Sequence, residues 1–216
     1  MRLRLRAHHL LLAALAVNAL LVGNAFGTAS GHFTSSSSHA IVKGYEKGPS
    51  HKLEFSVSSV STKIVCNSTS YSGTLASATA TQFALAPSLS ACEATSGGAV
   101  TVTTGGCEFL LTSGPNTGGD NTVHLTCPAG QRIEIHASNC TMRIQPQTPG
   151  GGVTYATVTE NGKHSLTVGA TLSVSTQFEG GVCIFLGTNQ TGALEGAATL
   201  IGTDTEGNPL DLTATG

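Results

Sequence analysis

Apolar and polar residues alternate in short runs along most of the chain, and residues that favour turns separate the runs. The clearest series spans residues 99–135, where Gly105-Gly106, a Gly-rich segment at 113–120 and Pro128-Ala129-Gly130 interrupt the alternation. Because successive side chains of a strand point to opposite faces, this pattern predicts four antiparallel strands that share one dry face. The predicted dry face consists of Val100, Val102, Cys107, Phe109, Leu111, Val123, Leu125, Cys127, Ile133 and Ile135.

The turn sequences also predict which residues lie opposite one another in neighbouring strands. A Gly-Gly pair tolerates the positive φ angles of a two-residue hairpin turn, and Pro-Ala-Gly suits a three-residue hairpin loop with a bulge. Each of the four strands is therefore expected to pair with the next one along the chain. The expected opposite pairs are Val102 with Phe109, Val100 with Leu111, Phe109 with Leu125, Leu111 with Val123, Cys107 with Cys127, Leu125 with Ile133, and Val123 with Ile135.

A second hairpin is predicted where Asn161-Gly162 separates two alternating runs, because Asn-Gly is a strong signal for a two-residue turn. Its predicted opposite pairs are Tyr155 with Val168 and Thr157 with Leu166. Further short strands are predicted at 40–42, 52–57, 62–66, 79–85, 141–144, 182–186, 197–201 and 210–213. Many short strands, regular turns and no long amphipathic helix indicate an all-β fold, either an antiparallel β-sandwich or a barrel.

The first 27 residues have the composition of a secretory signal peptide. Three arginines lie among the first six residues, an apolar run follows from Leu10 to Val22, and Ala25-Phe26-Gly27 supplies small residues for cleavage. The apolar run is shorter than the roughly 20 residues that span a bilayer, which favours a cleaved signal over the alternative of an uncleaved membrane anchor. The remaining chain is expected to form a flexible N-terminal arm at 28–50 and a single all-β domain at 51–216.

Six cysteines lie after the predicted signal, and an even number of cysteines in an exported chain predicts disulfide bonds. Six cysteines allow 15 pairings, so the spacing leaves the connectivity open. Pairing in chain order is the simplest hypothesis, and it gives Cys66–Cys92, Cys107–Cys127 and Cys140–Cys183. Zinc binding is disfavoured because the sequence has no C-x-x-C pair.

The charge of the chain argues against two classes of partner. Three of the ten basic residues lie in the predicted signal, which leaves seven basic residues against twelve acidic ones. A nucleic-acid-binding protein normally carries a basic patch, and binding to an anionic membrane needs a cluster of Lys and Arg. We therefore expect neither nucleic-acid binding nor membrane association after signal removal. The partner is expected among components of the cell envelope or the extracellular space.

The candidate chemistry lies on the polar face of the four predicted strands. The expected register places His124 opposite Glu134, with His136 two residues further along the same strand as Glu134. Two imidazoles and a carboxylate could bind a metal ion or serve a hydrolase, although an exposed polar face collects such residues by default. Glu108 shares this face and could pair with Glu134 as the two carboxylates of a glycosidase. The solvated-face interpretation is preferred, and no cofactor is predicted.

An acidic segment near the C-terminus is a further candidate site, and the common nucleophile motifs are absent from the sequence. Asp204, Glu206, Asn208 and Asp211 could bind calcium, but the EF-hand pattern fails because Pro209 stands where the pattern needs glycine, so a plain hairpin loop is preferred. The sequence contains no G-x-S-x-G, S-x-x-K or H-E-x-x-H motif.

The segments Gly-Gly-Cys-Glu-Phe, Leu-Thr-Cys-Pro-Ala-Gly and Gly-Val-Cys occur in this order along the chain. In this pattern the chain resembles secreted bacterial β-rich proteins that have six cysteines and no assigned function, and the resemblance transfers no active residues. The leading hypothesis is a secreted or cell-surface, non-enzymatic structural or binding protein. The alternatives are a secreted hydrolase that uses His124, Glu134 and His136, and an extracellular inhibitor that presents the loop Ser113–Asp120.

Overall fold

The computed structural model describes residues 31–46, 53–57, 60–115, 120–160, 162–180 and 189–215 of the 216-residue chain. This described part contains strands and loops and no helix. The strands are β1 (His32–Ser35), β2 (Ala40–Tyr45), β3 (Leu53–Val57), β4 (Val60–Leu75), β5 (Thr79–Ala80), β6 (Gln82–Ala94), β7 (Ala99–Thr103), β8 (Glu108–Thr112), β9 (Thr122–Thr126), β10 (Ile133–Ala137), β11 (Cys140–Ile144), β12 (Gln147–Glu160), β13 (Lys163–Glu179), β14 (Asn189–Thr203), β15 (Pro209–Leu210) and β16 (Leu212–Thr215).

The main sheet closes on itself into an eight-position antiparallel barrel. Each position is filled by one long strand or by two short strands in succession, and each pairs with the positions before and after it in the chain. The pairing of β14 with both β2 and β3 joins the last position to the first. In order, the positions are β2 then β3, β4, β6, β7 then β8, β9 then β10, β11 then β12, β13, and β14.

Alternate side chains of β13 and β14 line the inside of the barrel. On β13 the residues at every second position from Leu166 to Phe178 are buried, except Ala170, which is partly buried. On β14 the same spacing buries Leu194, Ala198 and Leu200. Burial of an apolar side chain of this size contributes about 1.5–3 kcal/mol, so the filled interior provides the main stabilisation of the fold. The all-β prediction is therefore confirmed, and of its two architectures the closed barrel is the one observed.

The series at 99–137 forms one long hairpin that bends in the middle, and not the four-stranded meander predicted from its turns. The far half is the β8–β9 ladder, in which Phe109 lies opposite Leu125. The near half is the β7–β10 ladder, in which Val102 lies opposite Ile135. Between the two ladders, both arms of the hairpin change direction at a corner. The corner consists of residues 104–107 on one arm and residues 127–132 on the other.

The predicted pairings of β7 with β8 and of β9 with β10 are wrong. Both β7 and β8 pair antiparallel with β6, which places Val100 opposite Cys92 and Phe109 opposite Leu85. Strands β7 and β8 therefore run in the same direction, so Gly105-Gly106 redirects the chain at the corner without reversing it. The glycines do adopt the positive φ angles that the turn prediction required, 60° and 75°.

The predicted dry face survives this change of pairing because alternation fixes which way a side chain points, and not which strand lies beside it. Eight of its ten residues are buried, and Val102 and Cys127 are partly buried. The pairs Phe109–Leu125 and Leu111–Val123 are confirmed, as are Tyr155–Val168 and Thr157–Leu166 of the second hairpin.

Two of the three predicted disulfides are confirmed. Cys66–Cys92 joins residues that lie directly opposite each other on β4 and β6. Cys107–Cys127 joins the two sides of the corner, as the predicted register required. Cys140 is also disulfide-bonded, but Cys183 lies outside the described residues, so the third pair remains a prediction.

A separate three-stranded sheet, in the order β16-β1-β5, packs against the barrel. The fully buried ring of Phe33 on β1 packs edge-on against Phe83 and Tyr155, with ring centroids 4.7 Å and 5.2 Å away. Leu212 on β16 is also fully buried. The predicted arm at 28–50 includes β1 and β2, and these two strands pack into the fold instead of lying apart from it.

Several predictions concern segments that lie outside the described residues, namely the signal at 1–27 and the strand at 182–186. The other predicted short strands fall within β2, β3, β4, β5, β6, β11, β14, β15 and β16. No helix in the described segments has the length and apolar character needed to cross a membrane.

Two glycines of the corner have similar φ angles, but we expect alanine to lower the free energy of unfolding by different amounts at the two positions. A Cβ on Gly105 would stand 2.5 Å from the carbonyl oxygen of Arg132, whereas a Cβ on Gly130 would meet nothing within 4 Å. We expect Gly130→Ala to lower the free energy of unfolding by about 1–2 kcal/mol, the cost of a left-handed residue with a side chain. Gly105→Ala should cost at least about 1 kcal/mol more, because steric overlap is added. Urea denaturation of the oxidised protein measures both, and equal losses would contradict the close approach of the two chains.

Candidate functional site

Glu134 lies at the centre of an ion-pair network on the outer face of the barrel. Its Oε1 atom accepts hydrogen bonds from Arg132 Nε and Arg143 Nε, each over 3.0 Å. Arg143 is directly opposite Glu134 in the β10–β11 ladder, and its guanidinium also pairs with Glu179 on β13. The network therefore joins three neighbouring barrel positions through charged side chains.

The network keeps Glu134 in its charged form. The hydrogen bonds from Arg132 and Arg143 lower the pKa of this carboxyl below its usual value. A catalytic acid needs the opposite environment, in which burial or a neighbouring carboxylate raises the pKa. The two arginines therefore account for Glu134 as a partner in surface ion pairs.

The structure separates His124 from the other two candidate residues. His124 lies on β9 opposite Leu110, and its Nε2 is 3.1 Å from Thr122 Oγ1. His136 Nε2 is 3.6 Å from Glu134 Oε2. The predicted position of His124 opposite Glu134 is wrong because β9 and β10 follow each other in one barrel position instead of pairing. Among the described residues, no three His, Cys, Asp or Glu side chains lie close enough together to hold a metal ion.

The two carboxylates considered as a glycosidase pair lie on opposite sides of the corner. Glu108 is on β8 opposite Thr126, whereas Glu134 is on β10 opposite Thr103. Their common face was inferred from the β7–β8 and β9–β10 pairings, which do not form.

The acidic segment near the C-terminus forms a hairpin loop. The carboxylate of Asp204 accepts hydrogen bonds from the backbone N–H groups of Glu206 and Asn208, over 2.9 Å and 2.8 Å, and from the Asn208 side chain over 2.8 Å. These hydrogen bonds lower the pKa of Asp204. The loop joins β14 to β15, with Thr203 opposite Pro209, as the hairpin interpretation predicted.

The loop considered for an inhibitor is described only at its base. The backbone N–H of Ser113 donates to Thr81 O over 3.0 Å, and that of Gly114 donates to Asn121 Oδ1 over 2.9 Å. Residues 116–119 lie outside the described part.

A cavity inside the barrel is the candidate site that the sequence predictions missed. Its volume is about 60 Å³, and residues from seven of the eight barrel positions line it. The lining is almost entirely apolar and comprises Leu53, Tyr71, Leu85, Phe109, Leu111, Val123, Val168, Ala170, Leu172, Leu194, Gly196, Ala197, Ala198 and Leu200. A second cavity of about 20 Å³ lies next to it and shares the side chains of Leu53, Phe109 and Leu194.

Small residues at inward positions create the larger cavity. Ala170 lies between the inward residues Val168 and Leu172 on β13, and Gly196 and Ala198 lie between the inward residues Leu194 and Leu200 on β14. An eight-stranded barrel has an interior just wide enough to be filled by side chains or to hold one small ligand. These three small inward residues on two neighbouring strands therefore leave a space that larger residues would fill.

Tyr71 contributes the one hydroxyl group of the cavity lining. Its partly buried ring lies edge-on to Phe109, with centroids 6.3 Å apart, and its Oη is 4.0 Å from the place where a Cβ on Gly196 would stand. Burial, with a smaller contribution from the nearby charge of Glu46, raises the pKa of the Tyr71 hydroxyl. None of the hydrogen bonds between described residues involves this hydroxyl. It is therefore a neutral donor available to a bound molecule.

Comparison of the chain with protein-family models, with curated proteins and with solved structures gave no significant match. The resemblance to secreted bacterial six-cysteine proteins therefore stays a prediction.

The ion-pair network predicts a pH-dependent contribution of Glu134 to stability. A carboxyl whose pKa is lowered by folding stabilises the folded state above its usual pKa, and the contribution is lost as the pH falls through the lower folded-state value. We expect Glu134→Gln to reduce the free energy of unfolding at pH 7 by no more than about 1 kcal/mol, since the pairs are partly exposed. The difference from the unchanged protein should shrink on acidification.

Urea denaturation between pH 2 and pH 7 measures this effect. Glu54→Gln is the matched control, because Glu54 forms a single exposed ion pair with Lys63, at 2.9 Å. An effect of Glu134→Gln that stays constant across this pH range would contradict the assigned role of the two arginines.

Proposed function

We propose that the chain is an exported, non-enzymatic binding protein of the extracellular space or cell surface. The observation that carries this proposal is the apolar cavity enclosed by the closed barrel. Small-molecule sites are usually apolar pockets with a few convergent polar groups, and this cavity has that kind of lining on a smaller scale. In this barrel, Tyr71 provides the polar group.

The disulfide bonds support export. Two are formed between described cysteines, and such bonds persist in oxidising compartments. The basic start and apolar run of the first 27 residues supply the matching signal. A single domain that carries its own core accords with this role.

The state of the candidate catalytic groups favours binding over hydrolysis. Glu134 is engaged by two arginines, and His124 lies in a different ladder from Glu134 and His136. A general base and the group that orients it must be within hydrogen-bond reach of each other. The hydrolase alternative would have to use Glu134 and His136 without His124.

Production of the full chain in a secreting bacterial host tests export and the absence of catalysis together. Mass spectrometry of the purified supernatant protein should show an N-terminus after Gly27 or Ala29 and no free thiols. A panel of ester, glycoside and peptide substrates should give equal, background rates for the unchanged protein and for Glu134→Gln. Retention of the protein inside the cells, or a turnover that Glu134→Gln abolishes, would refute the proposal.

A further inference from the structure

We propose that the barrel cavity binds one small, uncharged, mainly aliphatic molecule whose oxygen atom accepts a hydrogen bond from Tyr71. This inference names the ligand class for the proposed binding function and rests on that function. The size and apolar lining of the cavity, the Tyr71 hydroxyl and the charge around the cavity support it.

The cavity wall favours aliphatic groups over water. Leu, Val, Phe and Ala side chains surround the space, and an apolar cavity of this kind stays dry because water would lose its hydrogen bonds there. An aliphatic molecule removes apolar surface from water when it enters, and it restores contacts that the lining atoms lack. The empty space therefore lowers the stability of the barrel, and an apolar occupant would recover that stability.

The size of the space indicates a narrow ligand. The cavity of about 60 Å³ is smaller than the roughly 150 Å³ of an engineered apolar cavity that binds benzene. The neighbouring cavity of about 20 Å³ lies beyond Leu53, Phe109 and Leu194, which line both spaces. A single alkyl chain can extend from one space towards the other when these side chains change rotamer. A fused-ring molecule cannot do so without moving the strands.

The Tyr71 hydroxyl indicates that the ligand carries an acceptor atom. A hydroxyl that lies in an apolar lining without a protein partner gives up part of the hydrogen bonding that it has with water in the unfolded chain. The raised pKa keeps the group protonated, so it offers a donor and not a charge. An alcohol, aldehyde, ketone or ester oxygen beside Gly196 would complete this hydrogen bond. A pure hydrocarbon would leave it unmade.

The surrounding charge disfavours ionised ligands. Glu46 is the charged residue that acts on Tyr71, so an anionic carboxylate held by the hydroxyl would be repelled by Glu46. Among the described residues that line the cavity, none has a charged side chain that could neutralise a cation or an anion. Transfer of an unpaired charge into such a space is costly. The uncharged form of a ligand is therefore preferred.

Propan-1-ol and propanoate form a probe pair with the same number of carbon atoms and different head groups. The mature, oxidised protein, labelled with ¹⁵N, is titrated with each and followed by amide chemical shifts. We expect propan-1-ol to give saturable one-to-one shifts that are centred on residues 168–172 and 194–200, and to bind at least tenfold more tightly than propanoate. No saturation with propan-1-ol, or equal binding of propanoate, would overturn the inference.

Two tyrosine variants test the hydrogen bond. Tyr71→Phe should weaken propan-1-ol binding about two- to tenfold, the effect of losing one neutral hydrogen bond, without reducing the thermal stability of the protein. Tyr155→Phe is the matched control, because the Tyr155 hydroxyl already donates to Thr112 O over 3.3 Å and lies outside the cavity lining. The control should leave the affinity unchanged. An unchanged affinity in Tyr71→Phe would overturn the assigned donor.

Filling the cavity tests its location. Ala198→Leu should abolish binding while circular dichroism shows a folded barrel. If this variant does not fold, the same result is expected from Ala170→Leu. Full binding in a folded, filled variant would overturn the inference. Failure of the proposed function is distinguishable from failure of this inference, since a turnover that depends on Glu134 would refute the former without changing propan-1-ol affinity.

Discussion

Strand β14 pairs with β13 on one edge and with β2 and β3 on the other, and this second pairing closes the ladder of the barrel. Closure leaves the eight positions without free edges, so their backbone groups are paired within the chain. It also converts one face of every strand into a shared interior. The apolar core, the cavity and the polar exterior all follow from this single constraint.

The barrel bends at mid-height, and both described disulfides lie at that level. On β4 the successive inward residues Cys66 and Thr69 are three positions apart instead of two. The adjacent β6 shows the same change near Ala91, which has a φ of 50°. Here the regular alternation is interrupted and the ladder is locally weakened. Cys66–Cys92 and Cys107–Cys127 cross-link the chains where their regular pairing is interrupted.

Alternation predicted the buried residues well because a side chain's face depends on local backbone geometry alone. It could not predict the corner, since Gly105-Gly106 fits a hairpin reversal and a change of direction equally well. The choice depends on β6, a strand from another part of the chain that pairs with both β7 and β8. The false proximity of His124 and Glu134 followed directly from this error. The small residues Ala170, Gly196 and Ala198 were a readable signal for the cavity, but only a closed barrel turns them to one space.

Nuclear Overhauser contacts between opposite strands test the closed and bent barrel most directly. In the oxidised, isotope-labelled mature protein, we expect contacts of Val102 with Ile135 and of Gly202 with Val42, which report the bent hairpin and the closure. Contacts of Val102 with Phe109 would contradict the bend and restore the simple meander. Absence of the Gly202–Val42 contact would contradict closure, and with it the enclosed cavity.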